Sequence, residues 1–411
     1  MDFEPSPRSA EYRDRVSAFI DELVLPLEAR FFAAFGENHG ARGPDWRAWR
    51  VSEEVQALKA QARAAGLWNL FLPDSTLAPG LSTLEYAPIA EAMGRSLLAP
   101  EIFNCNAPDT GNMEVLWKYG SDAQRATWLT PLLAGEIRSA FCMTEPEVAS
   151  SDATNMRATA TLEGDEVIID GRKWWATGLG HPRCRVLVFM GLMQGGRDRH
   201  HQHGMVLVPI DTPGVRIERM LPVFGEYDAP YGHGEVSFEG VRVPATNVIG
   251  GPGMGFEIAQ GRLGPGRIHH CMRCIGAAER VLGLMIQRGL SRTAFGKPII
   301  NLGGNRERIA DLRIAIDQAR LLTHYAAWKL DRVGPLGALT EISAIKVVAP
   351  QVLQRTTDEA IQLFGGAGLS ADVPLTAIFA LARVLRIADG PDAVHRGLIA
   401  RMELAKWSHL G

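Results

Sequence analysis

Cysteines are few in this chain, and nothing in their spacing pairs them. Among 411 residues there are five, an odd and scattered set: Cys105, Cys142, Cys184, Cys271 and Cys274. Disulfide frameworks in secreted domains usually show an even number of cysteines, so this set favours a reducing compartment. The first residues also lack the basic and apolar blocks of a secretion signal. These absences predict a cytoplasmic protein.

An excess of charge of one sign is missing as well. The chain has 43 Lys and Arg residues against 46 Asp and Glu residues, a formal net charge of -3. This balance gives no global electrostatic reason to bind nucleic acid or an anionic membrane. No apolar run is long enough to span a bilayer. The sequence therefore predicts a globular protein with no nucleic-acid partner and no membrane span.

The periodicity of the apolar residues changes twice along the chain. Residues 1–137 show helical spacing, residues 138–250 contain short β-prone runs, and residues 251–411 return to helical spacing. The pattern predicts an α+β fold that is mainly α: an N-terminal helical domain, a small middle β domain and a C-terminal domain resembling a four-helix bundle. Gly164-Asp165 and Asp170-Gly171 are interpreted as hairpin turns between strands.

The C-terminal segment carries three apolar stripes at helical spacing. They are Ile268, Met272, Ile275, Leu282 and Ile286; then Ile309, Leu312, Ile316, Ala319 and Leu330; then Ile342, Ile345, Ala349, Val352 and Ile361. In the middle segment, strands are predicted near residues 158–162, 167–169, 174–175, 186–190, 205–209, 215–220, 234–238 and 241–244.

Two stretches of the middle segment and one near the C-terminus have the composition of a cofactor site. Residues 141–146 read Phe-Cys-Met-Thr-Glu-Pro and are followed by Ser150-Ser151-Asp152; residues 174–177 read Trp-Trp-Ala-Thr. Hydroxyl and backbone donors beside an indole suit a flat, redox-active ring. Residues 389–392, Asp-Gly-Pro-Asp, add a carboxylate.

Across these and further blocks the chain resembles the acyl-CoA dehydrogenases over nearly its whole length. It is most similar to the subfamily whose larger animal members carry an extra N-terminal kinase-like domain. The matching blocks, which occur in the family's order, are residues 141–152, 173–177, 261–267, 292–297, 362–368 and 386–395. The resemblance implies an FAD enzyme of fatty-acid β-oxidation that acts on an acyl-CoA, with an electron-transferring flavoprotein as acceptor.

The resemblance also implies roles for individual residues. Those expected to bind FAD are Phe141, Met143, Thr144, Ser150, Ser151, Trp175, Ala176, Thr177, Arg292, Phe295, Gln362, Gly366, Pro391 and Ala393. Thr177 would point at the reactive N5 edge of the flavin. Gln362 and Gly366 would contact the FAD of a neighbouring subunit, which implies a homodimer or homotetramer. Those expected near the substrate are Ser151, Gly264, Arg267 and Gly390.

Asp389 occupies the place of the family's catalytic carboxylate, which is usually Glu. In the family this base removes the α-proton of the thioester while flavin N5 accepts the β-hydride, which gives a trans-2-enoyl-CoA. Some members carry their base on the earlier helix instead. That position is Gly266 here, and glycine has no side chain to act as a base, which favours Asp389.

Several residues depart from the family's usual pattern. Gly264 replaces an acid of the substrate loop, Gly303 replaces a Gln that reaches the cofactor, and Pro391 and Ala393 replace a polar pair after the base. These departures leave two other functions open. One is a flavin oxidase of the same fold, acting on an acyl-CoA or a nitroalkane. The other is a non-catalytic scaffold that has lost tight FAD binding.

Some of these residues also have ordinary structural explanations. Strand alternation would send Trp174 and Trp175 to opposite faces, so that only one meets the flavin. Asp389 could cap a helix, although Asp392 is the better cap candidate. His269, His270, Cys271 and Cys274 are too few convergent ligands for a structural zinc site, so no metal is predicted. His200, His201 and His203 are expected to face solvent from a polar loop over residues 194–203.

Overall fold

A computed structural model describes residues 4–33, 43–193, 198 and 200–407 of the chain. The chain divides into two compact units. The first, called here the helical unit, comprises residues 1–37, 57–103 and 264–411. The second, called the β unit, comprises residues 38–56 and 104–263.

Helices account for most of the described residues. Their bounds are α1 Pro7–Phe19, α2 Leu25–Ala33, α3 Glu53–Ala64, α4 Thr83–Gly94, α5 Ala99–Ile102, α6 Asp109–Tyr119, α7 Asp122–Gln124, α8 Thr130–Leu133, α9 Gly255–Ser291, α10 Asn305–Gly337, α11 Leu339–Phe364, α12 Leu375–Leu385 and α13 Asp392–Ala405. Among the described residues, no helix combines the length and apolar character needed to cross a membrane.

The β unit is built on a seven-stranded sheet. The strands are β1 Arg138–Cys142, β2 Thr159–Glu163, β3 Glu166–Thr177, β4 Cys184–Leu192, β5 His203–Pro209, β6 Val215–Met220 and β7 His233–Pro244. They lie in the order β1-β4-β2-β3-β7-β6, with β5 paired to β4. A short pair, β8 Thr293–Ala294 and β9 Lys297–Pro298, follows α9 in the helical unit. The predicted runs of the middle segment lie in strands, but 167–169 and 174–175 belong to the single strand β3, and 234–238 and 241–244 to the single strand β7. Strand β1 was not predicted.

One of the two predicted hairpin turns is confirmed and the other is wrong. Gly164, at a φ of +66°, begins the two-residue turn that joins β2 to β3. Gly171 instead lies inside β3, where the register with β7 shifts. Its φ is +137°, and a Cβ there would lie 2.5 Å from the Cβ of Ala158. Glycine at this position marks a β-bulge with a close side-chain neighbour, not a chain reversal.

The three apolar stripes form the core of α9, α10 and α11. Eleven of the fifteen side chains are buried, and the other four, Ile286, Ile309, Val352 and Ile361, are half-buried.

 The eleven buried members lie on one side of each helix, as the spacing predicts. Inside α10, near its C-terminal end, the helical geometry is broken at Gly334, which has a φ of +71° and a ψ of 176° and precedes Pro335. The three-segment, mainly helical fold predicted from the sequence is confirmed.

Helices α4 and α9 approach each other through glycine. A Cβ built at Gly276 would lie 1.8 Å from the carbonyl oxygen of Glu91, and one at Gly94 would lie 2.1 Å from that of Arg273. Both distances are far shorter than any real contact, and the atoms met are backbone atoms. The helices can therefore pack this closely only because neither position has a side chain.

We expect Gly276→Ala to destabilise the protein by at least about 1–3 kcal/mol, the usual effect of overpacking. Gly283 in the same helix has no atom within 4 Å of a built Cβ. Gly283→Ala is therefore the matched control and should stabilise by roughly 0.5–1 kcal/mol through helix propensity. Thermal unfolding midpoints measure both effects. Equal midpoints for the two variants would contradict the tight crossing.

A buried histidine makes the helical unit sensitive to acid. His269 packs edge-on against Tyr86, with ring centroids 5.0 Å apart. Burial, with a smaller contribution from the positive charge of Arg273, lowers the pKa of His269 to about 3. Because the unfolded chain binds a proton near pH 6.5 and the folded chain does not, acidification from about pH 6.5 towards pH 3 favours the unfolded state.

We therefore expect the unfolding free energy to fall on acidification by as much as about 1.4 kcal/mol per pH unit from this group. His269→Leu should make the loss between pH 7 and pH 5 smaller by about 2 kcal/mol. Urea unfolding at the two pH values measures the difference. An unchanged pH dependence in the variant would show that His269 is not the group that titrates.

Candidate active site

Strand β1 leads directly into the first predicted cofactor segment. Phe141 is half-buried, and the guanidinium of Arg262 lies 3.9 Å from its ring centroid. Beyond the end of β1, the carbonyl oxygen of Thr144 accepts a hydrogen bond from the backbone N–H of Trp174 at 2.9 Å. The hydrogen bond brings the two predicted flavin segments, around residues 144 and 175, side by side.

A buried ion pair holds this segment in place. The Glu145 carboxylate accepts from Lys173 Nζ at 2.7 Å and from the backbone N–H groups of Arg157 and Ala158 at 2.8 and 3.0 Å. Lys173 is fully buried, and burial lowers its pKa while the Glu145 carboxylate opposes that shift. Ser150 Oγ accepts from the N–H of Glu145 at 2.9 Å. These contacts position Thr144 and Ser150, whereas Ser151 is exposed.

The tryptophan pair lies on a distortion of β3. The register between β3 and β7 shifts between Lys173 and Ala176, and Trp175 has a φ of +53°. The expectation that strict alternation separates Trp174 from Trp175 is therefore wrong, because a bulge interrupts the alternation. Trp174 is half-buried, while 41% of Trp175 is exposed and Ala176 is buried.

Thr177, at the end of β3, has a partner that the sequence did not suggest. Its Oγ1 lies 2.9 Å from Nδ1 of His233, the first residue of β7. The other ring nitrogen of His233 lies 3.7 Å from Oδ2 of Asp228. The ring of Trp175 lies 5.8 Å from the His233 ring. No sequence motif joins residues 177 and 233; strand pairing brings them together.

This part of the β unit fits a flat ring with a polar edge. The large apolar side chain of Trp175 is exposed. Its backbone has a positive φ, which is energetically costly for a bulky residue. Thr177 lies two residues further along β3, and the carbonyl oxygen of Thr144 is hydrogen-bonded to the neighbouring Trp174. An exposed indole beside hydroxyl groups provides both a stacking surface and hydrogen-bonding groups, which are the two things an isoalloxazine needs.

In the helical unit, the segment that carries Asp389 is held by its main chain. Asp389 has a φ of +57° and Gly390 a φ of +104°. The carbonyl oxygen of Asp389 accepts from Arg267 Nε at 3.0 Å and lies 3.2 Å from Nε2 of His395. A Cβ at Gly390 would lie 2.8 Å from the same imidazole nitrogen, so only glycine fits there.

A buried lysine holds the same segment from α11. Lys346 Nζ donates to the carbonyl oxygen of Leu385, at the end of α12, and lies 3.4 Å from that of Gly390. Burial lowers the pKa of Lys346 and also that of Arg267. Arg267 thus binds the carbonyl oxygen of Asp389 itself, and Lys346 binds carbonyl oxygens before and after it. These contacts fix the backbone at Asp389, whose side chain is 23% exposed.

Asp392 does not cap a helix, contrary to expectation. It is the first residue of α13, and Pro391 precedes it as the cap residue. Its carboxylate instead accepts from Arg386 Nε at 2.8 Å and from Gln351 Nε2 at 2.9 Å. These bonds hold the pKa of Asp392 below its usual value against the effect of burial. Asp392 therefore ties the start of α13 to α11 and to the segment after α12.

A second imidazole lies beside the Asp389 side chain. Nε2 of His270, on α9, is 3.6 Å from Oδ2 of Asp389. Sequence reasoning did not connect His270 with Asp389, because no pattern links residues 270 and 389. Only the packing of α9 against the segment before α13 reveals the pair.

The remaining predicted residues of the helical unit differ in exposure. Gly264 is buried, with Pro335 at 3.4 Å from a built Cβ, whereas Gly266 has open space around it. Arg267 is buried. The residues expected to contact FAD phosphates or a neighbouring subunit are exposed: Arg292, Phe295, Gln362 and Gly366. Pro391 is half-buried and Ala393 exposed.

The histidines and cysteines considered as metal ligands do not come together as a ligand set among the described residues. Cys271 and Cys274 are buried thiols whose pKa values burial raises. Among the described residues, no group of three or more His, Cys, Asp or Glu side chains could hold a metal ion. His200 and His201 are exposed, as expected, but His203 is fully buried in β5, so that expectation is wrong. Residues 194–197 and 199 of the predicted loop lie outside the described residues.

Three family models together match nearly the whole chain. They are the acyl-CoA dehydrogenase N-terminal domain over residues 6–136, the middle domain over residues 140–241 and the C-terminal domain over residues 253–404. The chain belongs to the acyl-CoA dehydrogenase family. Membership in this family supports an oxidoreductase and assigns FAD as the cofactor.

Individual relatives of the chain agree with the subfamily resemblance. "Acyl-CoA dehydrogenase family member 10" of Mus musculus is 50% identical over 98% of the chain. The chain spans only 38% of that mouse protein. "Probable acyl-CoA dehydrogenase FadE2" of Mycobacterium tuberculosis is 51% identical over 408 residues, which cover 99% of the chain and 98% of the relative.

A solved structure supports the fold at higher identity. It is a protein of this family from Mycobacterium abscessus, 63% identical, with a TM-score of 0.96. The match covers 99% of the chain and all of the solved one. The resemblance inferred from separate sequence blocks is therefore confirmed along the whole length.

Proposed function

We propose that the chain catalyses α,β-dehydrogenation of an acyl-CoA thioester to the trans-2-enoyl-CoA, with Asp389 as the base. The proposal rests on one observation about Asp389 in the helical unit. Its main chain is fixed by Arg267 and His395 while its carboxylate stays partly exposed. A general base must lie within reach of the proton that it removes, whatever its pKa. The fixed main chain of Asp389 can hold the carboxylate in such a place.

Bound FAD supplies the acceptor for the β-hydride. The chain's own contribution is to take up and hold the α-proton on the Asp389 carboxylate. An α-proton becomes acidic enough only if the thioester oxygen receives hydrogen bonds as enolate charge develops. We assign one of these bonds to the backbone N–H of Asp389, whose fixed conformation suits a preorganised donor.

The residues proposed to hold the cofactor are those that the family resemblance implies. In the β unit these are Phe141, Met143, Thr144, Ser150, Ser151, Trp175, Ala176 and Thr177; in the helical unit they are Arg292, Phe295, Gln362, Gly366, Pro391 and Ala393. Ser151, Gly264, Arg267 and Gly390 are proposed to bind the substrate. The exposed indole of Trp175 and the Thr177 hydroxyl support the assignment in the β unit.

A homo-oligomer and an electron-transferring flavoprotein are the proposed protein partners. Phe295, with 92% of its side chain exposed, and Leu369, with 71%, leave large apolar groups uncovered on the helical unit. Apolar exposure of this kind fits burial against a second copy. The acceptor is proposed from family membership alone.

Anaerobic mixing of the purified FAD protein with a panel of acyl-CoAs tests the function. We expect bleaching of the flavin absorbance by at least one acyl-CoA, and slow reoxidation when oxygen is admitted. Rapid reoxidation by oxygen would indicate an acyl-CoA oxidase, and bleaching by nitroalkanes alone a nitroalkane oxidase. A colourless protein that takes up no added FAD would contradict the proposal in favour of a non-catalytic scaffold.

A further inference from the structure

We propose that His233 is a positioning residue for the cofactor: its imidazole holds the Thr177 hydroxyl in the orientation in which that hydroxyl binds FAD. The inference rests on the role proposed for Thr177 and adds the residue that directs it. It starts from a hydrogen bond inside the β unit, where Thr177 Oγ1 lies 2.9 Å from His233 Nδ1. The two side chains belong to the end of β3 and the start of β7.

The main chain brings these two side chains together. Thr177 and His233 are directly opposite each other in the antiparallel pair of β3 and β7. The carbonyl oxygen of His233 accepts from the N–H of Leu221 at 2.7 Å, and that of Gly232 accepts from the N–H of Gly178 at 3.0 Å. Backbone hydrogen bonds therefore hold both strand ends, and opposite residues of such a pair are close enough for their side chains to interact.

Two glycines next to the pair leave little room for the main chain to move. A Cβ built at Gly178 would lie 2.6 Å from the carbonyl oxygen of Ser139, and one at Gly234 would lie 2.3 Å from Cδ2 of Leu179. Each glycine directly follows one member of the pair in sequence. Because neighbouring atoms this close restrain the main chain, the freedom that remains at the pair is mainly rotation of its side chains.

The hydrogen bond to His233 restricts that rotation for Thr177. A threonine side chain can occupy several staggered wells about its first torsion, and the well decides where the hydroxyl points. Among the described residues, the imidazole is the hydrogen-bond partner of this hydroxyl. A hydroxyl has one proton to donate and two lone pairs to accept with, so a single contact with Nδ1 leaves it able to bind a ligand. His233 thus selects the orientation and leaves the hydroxyl available.

The imidazole also lies next to the exposed indole of the site. The ring centroid of His233 is 5.8 Å from that of Trp175, with 48° between the planes, and 15% of the His233 side chain is exposed. Its Nε2 lies 3.7 Å from Oδ2 of Asp228, which is too long for a hydrogen bond. One residue therefore binds the hydroxyl and neighbours the stacking surface, the two features that make this part of the β unit fit a flavin.

An imidazole is a suitable partner for a hydroxyl that faces a redox cofactor. The N5 edge of a flavin accepts a hydrogen bond in the oxidised state and presents an N–H in the reduced state. Thr177 can bind both because a hydroxyl is donor and acceptor, and an imidazole nitrogen can likewise donate or accept, depending on the tautomer. A backbone carbonyl in the place of the His233 ring could only accept. His233 can therefore hold Thr177 in either state of the cofactor.

Two substitutions that differ in length separate this role from a merely structural one. In His233→Asn an amide atom can occupy the place of Nδ1 and keep the hydrogen bond to Thr177. In His233→Gln the longer side chain carries its amide towards the place of Nε2, and the hydrogen bond is lost. Both variants keep a polar amide at the start of β7, so we expect similar thermal unfolding midpoints for the two. Thr177→Val, which has nearly the shape of threonine, removes the hydroxyl itself.

Release of FAD from the purified holoenzyme gives the main measurement, and it requires no turnover. The recovery of flavin fluorescence after dilution reports the release rate. We expect His233→Gln to release FAD about 3- to 10-fold faster than the wild type, the effect of one lost hydrogen bond, and His233→Asn to stay within about twofold. In a Thr177→Val background, His233→Gln should change the rate by less than about twofold, because the contact is already gone.

A spectroscopic readout tests the orientation of the hydroxyl. In holoenzyme labelled with ¹⁵N-histidine, reduction of the bound FAD by dithionite should shift the Nδ1 resonance of His233, because the other partner of the Thr177 hydroxyl changes. Thr177→Val should abolish most of that shift. An unchanged resonance in the wild type, or an equal shift in Thr177→Val, would overturn the inference. So would equal rates of FAD release in His233→Asn and His233→Gln.

The positioning role and the proposed reaction can fail separately. If no acyl-CoA bleaches the flavin but the His233 variants differ as expected, the dehydrogenation proposal fails and the positioning role stands. If an acyl-CoA bleaches the flavin and the two variants release FAD equally fast, the positioning role fails and the reaction stands.

Discussion

Asp389→Asn should leave a folded, yellow protein whose flavin is no longer reduced by an acyl-CoA at a useful rate. We expect the rate constant for reduction to fall by about 10²- to 10⁴-fold, the range attributed to general-base catalysis. Asparagine has nearly the same shape as aspartate but cannot take up the proton. It also tolerates the positive φ of +57° at this position, so the substitution adds little backbone strain.

Stopped-flow absorbance under anaerobic conditions measures this loss, with FAD content determined on the same samples. Asp392→Asn is the matched control. Asp392 lies three residues further along and is bound to Arg386 and Gln351, so its loss should change the rate far less than that of Asp389. Wild-type reduction in Asp389→Asn would remove this residue from the proposed mechanism.

Breaking the buried ion pair of the β unit should have the largest effect on stability. Lys173→Met leaves the Glu145 carboxylate buried without its cation, and we expect a loss of roughly 3–5 kcal/mol. Since Glu145 follows Thr144 directly and binds the backbone of Arg157 and Ala158, affinity for FAD should weaken too. Thermal unfolding and FAD titration measure the two effects.

An exposed ion pair in the same sheet provides the control for that experiment. Arg242 Nη1 lies 2.9 Å from Glu166 Oε2, and both side chains are about half exposed. Arg242→Met should therefore change stability by less than about 1 kcal/mol. Adding Glu145→Gln to Lys173→Met should recover part of the loss by removing the uncompensated charge. Equal effects of Lys173→Met and Arg242→Met would contradict the importance of burial.

The fold could be predicted from the sequence because its signals are local and repeated. Apolar spacing predicted the stripes of α9, α10 and α11, and β-prone runs predicted strands β2 to β7 of the sheet. The errors occur where tertiary structure overrides a local signal. Gly171 resembles a turn residue but lies in a bulge of β3, and His203 resembles a loop residue but is buried in β5.

Only those site residues that lie within the family blocks could be predicted from the sequence. Those blocks marked Thr177 and Asp389 but gave no sign of the histidines beside them. His233 meets Thr177 through strand pairing, and His270 meets Asp389 through helix packing, across 56 and 119 positions of sequence.

 Contacts this distant in sequence depend on the geometry of the whole unit, which no motif encodes.

The left-handed backbone at Asp389 restricts which acid can serve at that position. Aspartate visits this region more readily than most residues because its short polar side chain can interact locally with the main chain, whereas a longer side chain loses that advantage. Asp389→Glu would extend the reach of the carboxylate, but glutamate is less favourable than aspartate in the positive-φ backbone conformation at this position. The shape of the chain here therefore selects the shorter acid, and an engineer seeking the family's usual glutamate would have to redesign the bend first.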